Sequence, residues 1–268
     1  IVDKLIRIFV LVNGCNDATE VLVREYAASH ESIVPVQLPL ADKANAWNYY
    51  IHSIQHKAAV HFFVDGDMQV LPHSFEALAR ALRISSEANA VGALPAAGRT
   101  HAEWSKRMMA LGRLAGCLYA LRGSFVSELK RRQIHIPIGL VGEDLFLSCV
   151  VKGQISIEGL MRSDRKLIFA PDAGFAFRPL SPARPKDWLT YGRRLVRYQI
   201  RDYQLITLLR YLQANPLVDF PPDMAGLYRH LGALPRYRWR GRMTPIDVVA
   251  VWQLRREINR STLPSGNE

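Results

Sequence analysis

Val60-His61-Phe62-Phe63-Val64-Asp65-Gly66-Asp67 is an apolar run that stops at two acids separated by one glycine. Its first five residues contain no turn former and are rich in β-branched and aromatic types, which predicts a strand buried on both faces, as in the middle of a parallel sheet. In open α/β sheets ligands bind beyond the carboxyl ends of the strands, where Asp65 and Asp67 stand. Alternate residues of an extended segment point the same way, so both carboxylates can face one site, while Gly66 lets a ligand approach the backbone. Neighbouring carboxylates repel unless a cation lies between them. A hard divalent ion, Mg²⁺ or Mn²⁺, completed by water and substrate phosphates, suits such a pair. Asp and Gly also favour turns, so a plain turn is the alternative reading.

Around this stretch the chain alternates strand, loop and helix. Residues 6–12 form an apolar run ending in the polar turn Asn13-Gly14-Cys15-Asn16-Asp17, followed by helical spacing through residues 21–27 and a short strand over 32–38. Residues 43–57 read as a helix, because Trp47, Tyr50, Ile51, Ile54 and Ala58 recur at steps of three and four. His52 and His56 lie one turn apart on it, but with no neighbouring glutamate and no third ligand they read as solvated surface histidines. After Asp67 come a helix opened by Pro72, a strand over 89–94, an amphipathic piece over 104–111, a strand over 114–121 and a short helix over 124–129. Glu143 and Asp144 precede an apolar helix over 145–151, where the helix dipole favours ionised carboxylates. Helix capping is the ordinary role for such acids, and an ionised acid aimed into a crevice can also act as a base. A strand pair or hairpin is expected around Pro171-Asp172. Strand, loop and helix in this alternation predict an α/β fold with a mixed, mostly parallel sheet flanked by helices.

The end of the chain differs in composition. Residues 178–185 are rich in proline and polar side chains, which suits a linker or flap. A helix then runs from 186 to about 212, with Trp188, Leu189, Tyr191, Leu195, Tyr198, Leu205, Leu208 and Leu209 inward and Arg193, Arg194, Arg197, Arg201 and Arg210 outward. Such a basic amphipathic helix suits phosphates, an anionic membrane or plain solvation. Prolines in 215–223 mark a boundary, and Thr244-Pro245-Ile246-Asp247 starts a last helix after the basic stretch 236–242. Two regions follow: 1–180 as the catalytic α/β domain and 181–268 as a basic helical extension.

With 268 residues and 49% hydrophobic content the chain can bury a large core. No apolar run reaches bilayer-spanning length, and the first residues are a charged lead into a strand instead of a signal peptide. The leading Ile suggests a fragment or a processed product. Three scattered cysteines without metal-ligand spacing suit a reducing compartment, so a cytoplasmic location is expected, peripheral to the inner face of the cell membrane if the basic surface docks there. A net charge of +11 and a pI near 9.8 draw the molecule to polyanions.

Several motifs, taken in order, resemble the family-2 glycosyltransferases of GT-A fold. Asn13-Gly14-Cys15-Asn16-Asp17-Ala18-Thr19 resembles that family's nucleotide-side turn, and Lys43-Ala44-Asn45-Ala46-Trp47-Asn48 its helix before the metal strand. Asp65-Gly66-Asp67 stands where the family carries its DXD metal motif, Gly116-Cys117-Leu118-Tyr119-Ala120-Leu121-Arg122 resembles the acceptor-side strand, and Gly142-Glu143-Asp144 the ED motif with the catalytic base. The resemblance covers about residues 6–151 and implies inverting, metal-dependent transfer of a sugar from a nucleotide-sugar. It implies Asp67 and Asp65 as metal ligands, Asp144 with Glu143 as catalytic carboxylates with Asp144 the base, and Asn13, Asp17, Lys43, Asp65, Arg194 and Arg197 as contacts to the nucleotide-sugar. A UDP-sugar is expected ahead of a GDP-sugar, with a saccharide or lipid-linked acceptor. The family's usual first strand, ending in a Pro-Ala-Tyr-Asn-Glu-like turn, has no counterpart before Ile6, and Val12 stands where an acid is common. The QxxRW motif of processive synthases is only echoed, by Arg194-Leu195-Val196-Arg197-Tyr198, so non-processive transfer is expected.

Two other readings compete. A non-catalytic protein on a degenerate transferase fold could bind nucleic acid or a membrane through Arg236 to Arg242, where Tyr237 and Trp239 interleave with arginines; nucleic acid is the less expected partner. A sugar-nucleotide pyrophosphorylase would share the fold class, but no glycine-rich phosphate loop opens this chain.

Overall fold

The computed structural model describes residues 6–54, 57–177, 183–215, 219–232, 235–237 and 239–260. His56, the first part of the expected 178–185 flap and the tail beyond 260 lie outside them. The chain opens with β1 (Ile8–Asn13), α1 (Thr19–Ala28) and β2 (Ile33–Leu38), a right-sized βαβ unit whose strands pair in parallel with Ile8 opposite Ile33. Next comes α2 (Lys43–Tyr49), capped by Asp42, whose Oδ1 accepts from the Asn45 N–H at 2.7 Å. The expected single helix over 43–57 does not continue as such: Tyr50–Ile54 forms a π-turn. The wider turn shifts the helical phase, with Ile51 fully buried and the Tyr50 hydroxyl 2.7 Å from His61 Nδ1.

A second sheet has the order β3 (Val60–Val64), β6 (Leu118–Arg122), β5 (Ala90–Pro95), β7 (Leu167–Ala176), β4 (Gln69–Val70). The α/β class is as expected, but the pairing is less parallel: among the described residues β1·β2 and β5·β7 are parallel, whereas β3·β6, β5·β6 and β4·β7 are antiparallel. β3 is therefore not a central strand. It lies at an edge, and Phe62 and Val64 are 36% and 44% exposed. The apolar run reports which residues avoid water on one face, not how many strands flank it. The second edges of β1 and β3 have no strand partner among the described residues, and Tyr50 bridges the two sheets with its ring 5.9 Å from Phe9 and 5.5 Å from Phe63.

Two further expectations change. Strand pairing over 114–121 begins only at Leu118, leaving Gly116 in the turn before β6. The hairpin at Pro171-Asp172 is a bulge inside one strand, since β5 pairs Gly92 with Phe169 and then Leu94 with Gly174. Proline has no N–H for the ladder, which favours the irregularity there.

Alternation along β6 builds the layers. Leu118 and Ala120 pack with Leu78 and Leu82 of α3 (Ser74–Ile84) and Met108 of α4 (His101–Leu111). Tyr119 and Leu121 face the opposite layer, formed by α2, α5 (Gly123–Arg131) and α6 (Glu143–Lys152). Leu205, Leu208, Leu209 and Leu212 of α7 (Pro185–Ala214) join that same core, as do Met224 and Leu227 of α8 (Met224–Leu231). The inward face expected for all of α7 is half-buried at Leu195 and Val196 and fully buried only from Ile200 onward. Trp188, Leu189, Tyr191 and Tyr198 are each 47–68% exposed because the first half of α7 extends past the core. The last helix, α9 (Thr244–Arg260), packs on α7 through Ala250 and Leu254 against Ile200. Among the described residues no helix is long and apolar enough to cross a membrane.

Candidate active site

Side chains from three separate segments meet beyond the end of β3. Lys43 comes first on α2, and its capping residue Asp42 also accepts from the Gly139 N–H through Oδ2 at 3.0 Å. Asn48 exchanges two hydrogen bonds with the Ile136 backbone, at 2.7 and 2.9 Å. These bonds clamp α2 to the loop that leads into α6. Gly142, at φ +87°, turns that loop so that Glu143 and Asp144 become the first residues of α6. The Lys43 ammonium then bridges Asp65 Oδ1 at 2.5 Å and Glu143 Oε1 at 2.9 Å.

Gly116 is the floor of this cluster. A Cβ there would stand 2.8 Å from Lys43 Nζ and 3.3 Å from Glu143 Oε1. Its N–H donates to Asp144 Oδ2 at 3.0 Å, and the Leu145 N–H donates to Asp144 Oδ1 at 2.9 Å. Burial, and then the neighbouring Glu143 charge, push the Asp144 carboxyl up to about 6, against the pull of Lys43 and the two N–H donors. Burial also raises Asp65, partly offset by Lys43. Burial disfavours the Lys43 charge, but Glu143 and Asp65 outweigh it and hold Lys43 above the ordinary lysine range. The Cys117 thiol is pushed up to about 12 by burial and by Asp65, so it stays protonated and is no nucleophile at neutral pH.

Asp65-Gly66-Asp67 is a turn and not an extended segment: the Met68 N–H donates to the Asp65 carbonyl at 3.2 Å. Asp65 is turned into the cluster, whereas Asp67 is exposed. At the end of β1, Gly14 adopts φ +63° and lies so close to Ala41 that a Cβ there would clash with the Ala41 backbone N. This seats the Asn13-Gly14 turn beside the segment leading into Lys43. Asp17 is engaged otherwise, since its Oδ1 accepts from the Thr19 N–H at 3.0 Å at the start of α1, and hydrogen bonding to Thr19 lowers its pKa. His52 is half-buried and not the solvated surface histidine expected: its Nε2 lies 3.0 Å from the Ile134 carbonyl and its ring stacks on His135.

An open groove of about 670 Å³ starts at Lys43 and Glu143 and runs outward between α7 and α9, past Trp188, Arg193, Arg197 and Val249. Arg197 lines this groove. Arg194 does not line the groove, and Arg193 does. Sequence reasoning placed Gly116 in an acceptor-side strand and did not foresee it beneath Lys43 and Asp144, and it missed Asp42 and the part played by α9. It also missed Gln204, which is buried on α7, accepts from the Val141 N–H at 2.8 Å and donates to the Gly139 carbonyl at 2.9 Å. Asp42-x-x-Asn45 was a readable capping signal, but nothing local placed α9 beside Glu143.

The sequence profile of glycosyl transferase family 2 matches residues 2–142 of the 268, just over half of the chain. The chain belongs to glycosyl transferase family 2. The family match takes in Lys43, Asp65, Asp67 and Gly116 and stops one residue before Glu143. No curated protein sequence matches the chain. Among solved structures it is similar to S. aureus TarS residues 1–349 in complex with UDP-GlcNAc, with TM-score 0.49, 11% identity, and coverage of 96% of this chain and 74% of that one. TarS 1–349 in a second crystal structure gives TM-score 0.46 and 12% identity, over 89% of this chain and 86% of that one. GalNAc-T7 with UDP, GalNAc and Mn²⁺ gives TM-score 0.46 and 12% identity over 81% of this chain, which spans 47% of the GalNAc-T7 chain.

Among the described residues no three His, Cys, Asp or Glu side chains are grouped so as to hold a metal ion. Asp67, exposed on the turn, is a hard oxygen donor that fits an ion keeping most of its ligands as water and phosphate, and Asp65 would join it only by turning away from Lys43.

Proposed function

We propose that this family-2 chain moves a sugar from a nucleotide-sugar to an acceptor hydroxyl, with inversion and without processivity. The observation that carries the reading is Asp144, a carboxylate raised to about 6 and fixed by two backbone N–H groups beside the Lys43 bridge. At neutral pH it is ionised yet basic enough to take the proton of an attacking hydroxyl. One fixed base suits direct attack from the face opposite the leaving group, which inverts the anomeric carbon. Glu143 is held by Lys43, so its role is to position that ammonium. The Lys43 charge would in turn offset the negative charge that grows on a departing diphosphate. Asn13, seated beside the segment leading to Lys43, is proposed to contact the nucleotide. Asp67, with Asp65, would hold Mg²⁺ or Mn²⁺, which when bound neutralises diphosphate charge. Arg193 and Arg197 line the groove and suit the diphosphate or an anionic acceptor such as a lipid-linked saccharide.

Calorimetric titration with UDP and with GDP, each with and without Mn²⁺, tests the donor site. Metal-dependent binding of UDP, lost in Asp67→Ala, is the expected result; binding of neither nucleotide would refute a donor site. An Asp144→Asn enzyme that binds nucleotide normally but transfers no sugar would support the base, and full activity in that variant would remove the assignment.

A further inference from the structure

We propose that the outer face of α9, together with the 235–243 segment beside it, docks on an anionic lipid bilayer. α9 buries Ala250, Val251, Leu254 and Ile258 inward. Its outer side exposes Val248 at 44% and Trp252 at 56%, with Arg255 and Arg256 on the following turn. The Arg256 guanidinium lies 5.4 Å over the Trp252 ring. Two hydrogen bonds bring the preceding segment alongside this stripe: the Arg240 N–H donates to Thr244 Oγ1 at 2.8 Å, and Arg255 Nε donates to the Pro235 carbonyl at 3.1 Å. Tyr237 and Trp239 therefore flank the helix, 58% and 83% exposed, and Arg236, Arg240 and Arg242 are exposed with them.

Charge complementarity names the occupant. Residues 235–256 contain one acid, Asp247, which is buried and accepts from the Tyr203 hydroxyl at 3.1 Å; the next acid, Glu257, is exposed on the groove side of α9, so the charge displayed around Trp239 and Trp252 is predominantly positive. Arginines attract anionic headgroups, and rings with an apolar body and polar edge sit at the depth of those headgroups. Nucleic acid fits less well, because the aliphatic Val248 and Val249 share the face and offer no ring to stack on a base. Val249 also lines the groove that ends at Lys43 and Glu143, so docking would set the groove mouth at the bilayer.

Vesicle co-sedimentation decides the matter. The protein should pellet with vesicles of phosphatidylcholine containing phosphatidylglycerol and stay in solution with pure phosphatidylcholine. Trp239→Ala/Trp252→Ala and Arg242→Glu should each lower the affinity by roughly tenfold or more, with an unchanged unfolding midpoint. Lys106→Glu, on the remote helix α4, should leave it unaltered. An equal loss in Lys106→Glu would mean that net charge alone binds, and would overturn the proposal. So would failure of the wild type to pellet with anionic vesicles, or binding to a single-stranded oligonucleotide in preference to them.

Discussion

Lys43, half-buried, and Lys152, fully buried, are held by opposite kinds of group. Lys43 is bridged by two carboxylates that can themselves change charge, and its pKa is raised. Lys152, 2% exposed at the end of α6, donates to the backbone carbonyls of Leu111, Gly112, Gly159 and Arg162 at 2.5 to 3.3 Å, and burial lowers its pKa. Neutral dipoles satisfy the ammonium without offering any chemistry, so Lys152 ties α4 and the 159–162 loop to α6. Carboxylates beside Lys43 leave a site whose charge can be redistributed when a ligand arrives. Both ends of α6 are therefore tied to a lysine ammonium, with ionisable carboxylates at the N-terminal end.

The sharpest way to break this contrast is at the reactive end. Asp144→Asn should lower kcat by about 10²–10⁴-fold with nucleotide affinity retained, measured by single-turnover transfer; a small effect would make the two ends alike. At the other end, Lys152→Met strands carbonyls that have no other donor of this kind. Denaturant unfolding should then register a loss of about 2–4 kcal/mol, while nucleotide affinity in the folded fraction is unchanged. A loss of affinity with stability intact would reverse the assignment.

The pH dependence of transfer sharpens the comparison. With Asp144 as the proposed base, activity should rise with pH through a limb near 6. The sign for stability is opposite: a carboxyl raised above its unfolded value of 3.8 opposes folding once ionised, so its penalty is absent at low pH and complete above about 6. Lys43→Met removes a charge that lowers the Asp144 pKa, and the activity limb should move upward by about one unit. An unmoved limb would mean that Lys43 does not set the base. Gly116→Ala should have the smallest effect, within about 1 kcal/mol of wild-type stability. The new Cβ would press on the flexible end of Lys43 at 2.8 Å, and the N–H to Asp144 would remain.

Much of this site was legible in the chain. Lys43, Asp65 and Glu143-Asp144 each stood at the end of a periodic element, and the structure brings them together. The Asp65-Gly66-Asp67 geometry was misread because a turn and a strand end share the same residue types. Arg194 and Arg197 were indistinguishable on a basic helix face, and only the position of α9 puts Arg193 and Arg197 along the groove. Trp188 and Leu189 keep helical apolar spacing while remaining exposed.

Sequence by itself determined the α/β alternation, the family, and which residues begin and end most elements, because backbone periodicity, capping and turn chemistry act over a few neighbouring residues. Tertiary structure decided that β3 lies at a sheet edge, that Lys43 reaches Asp65 and Glu143, and that α9 walls the groove. Those outcomes depend on contacts between residues far apart in the chain, such as Lys43 with Gly116 and Glu143, and such closures leave no local periodicity behind.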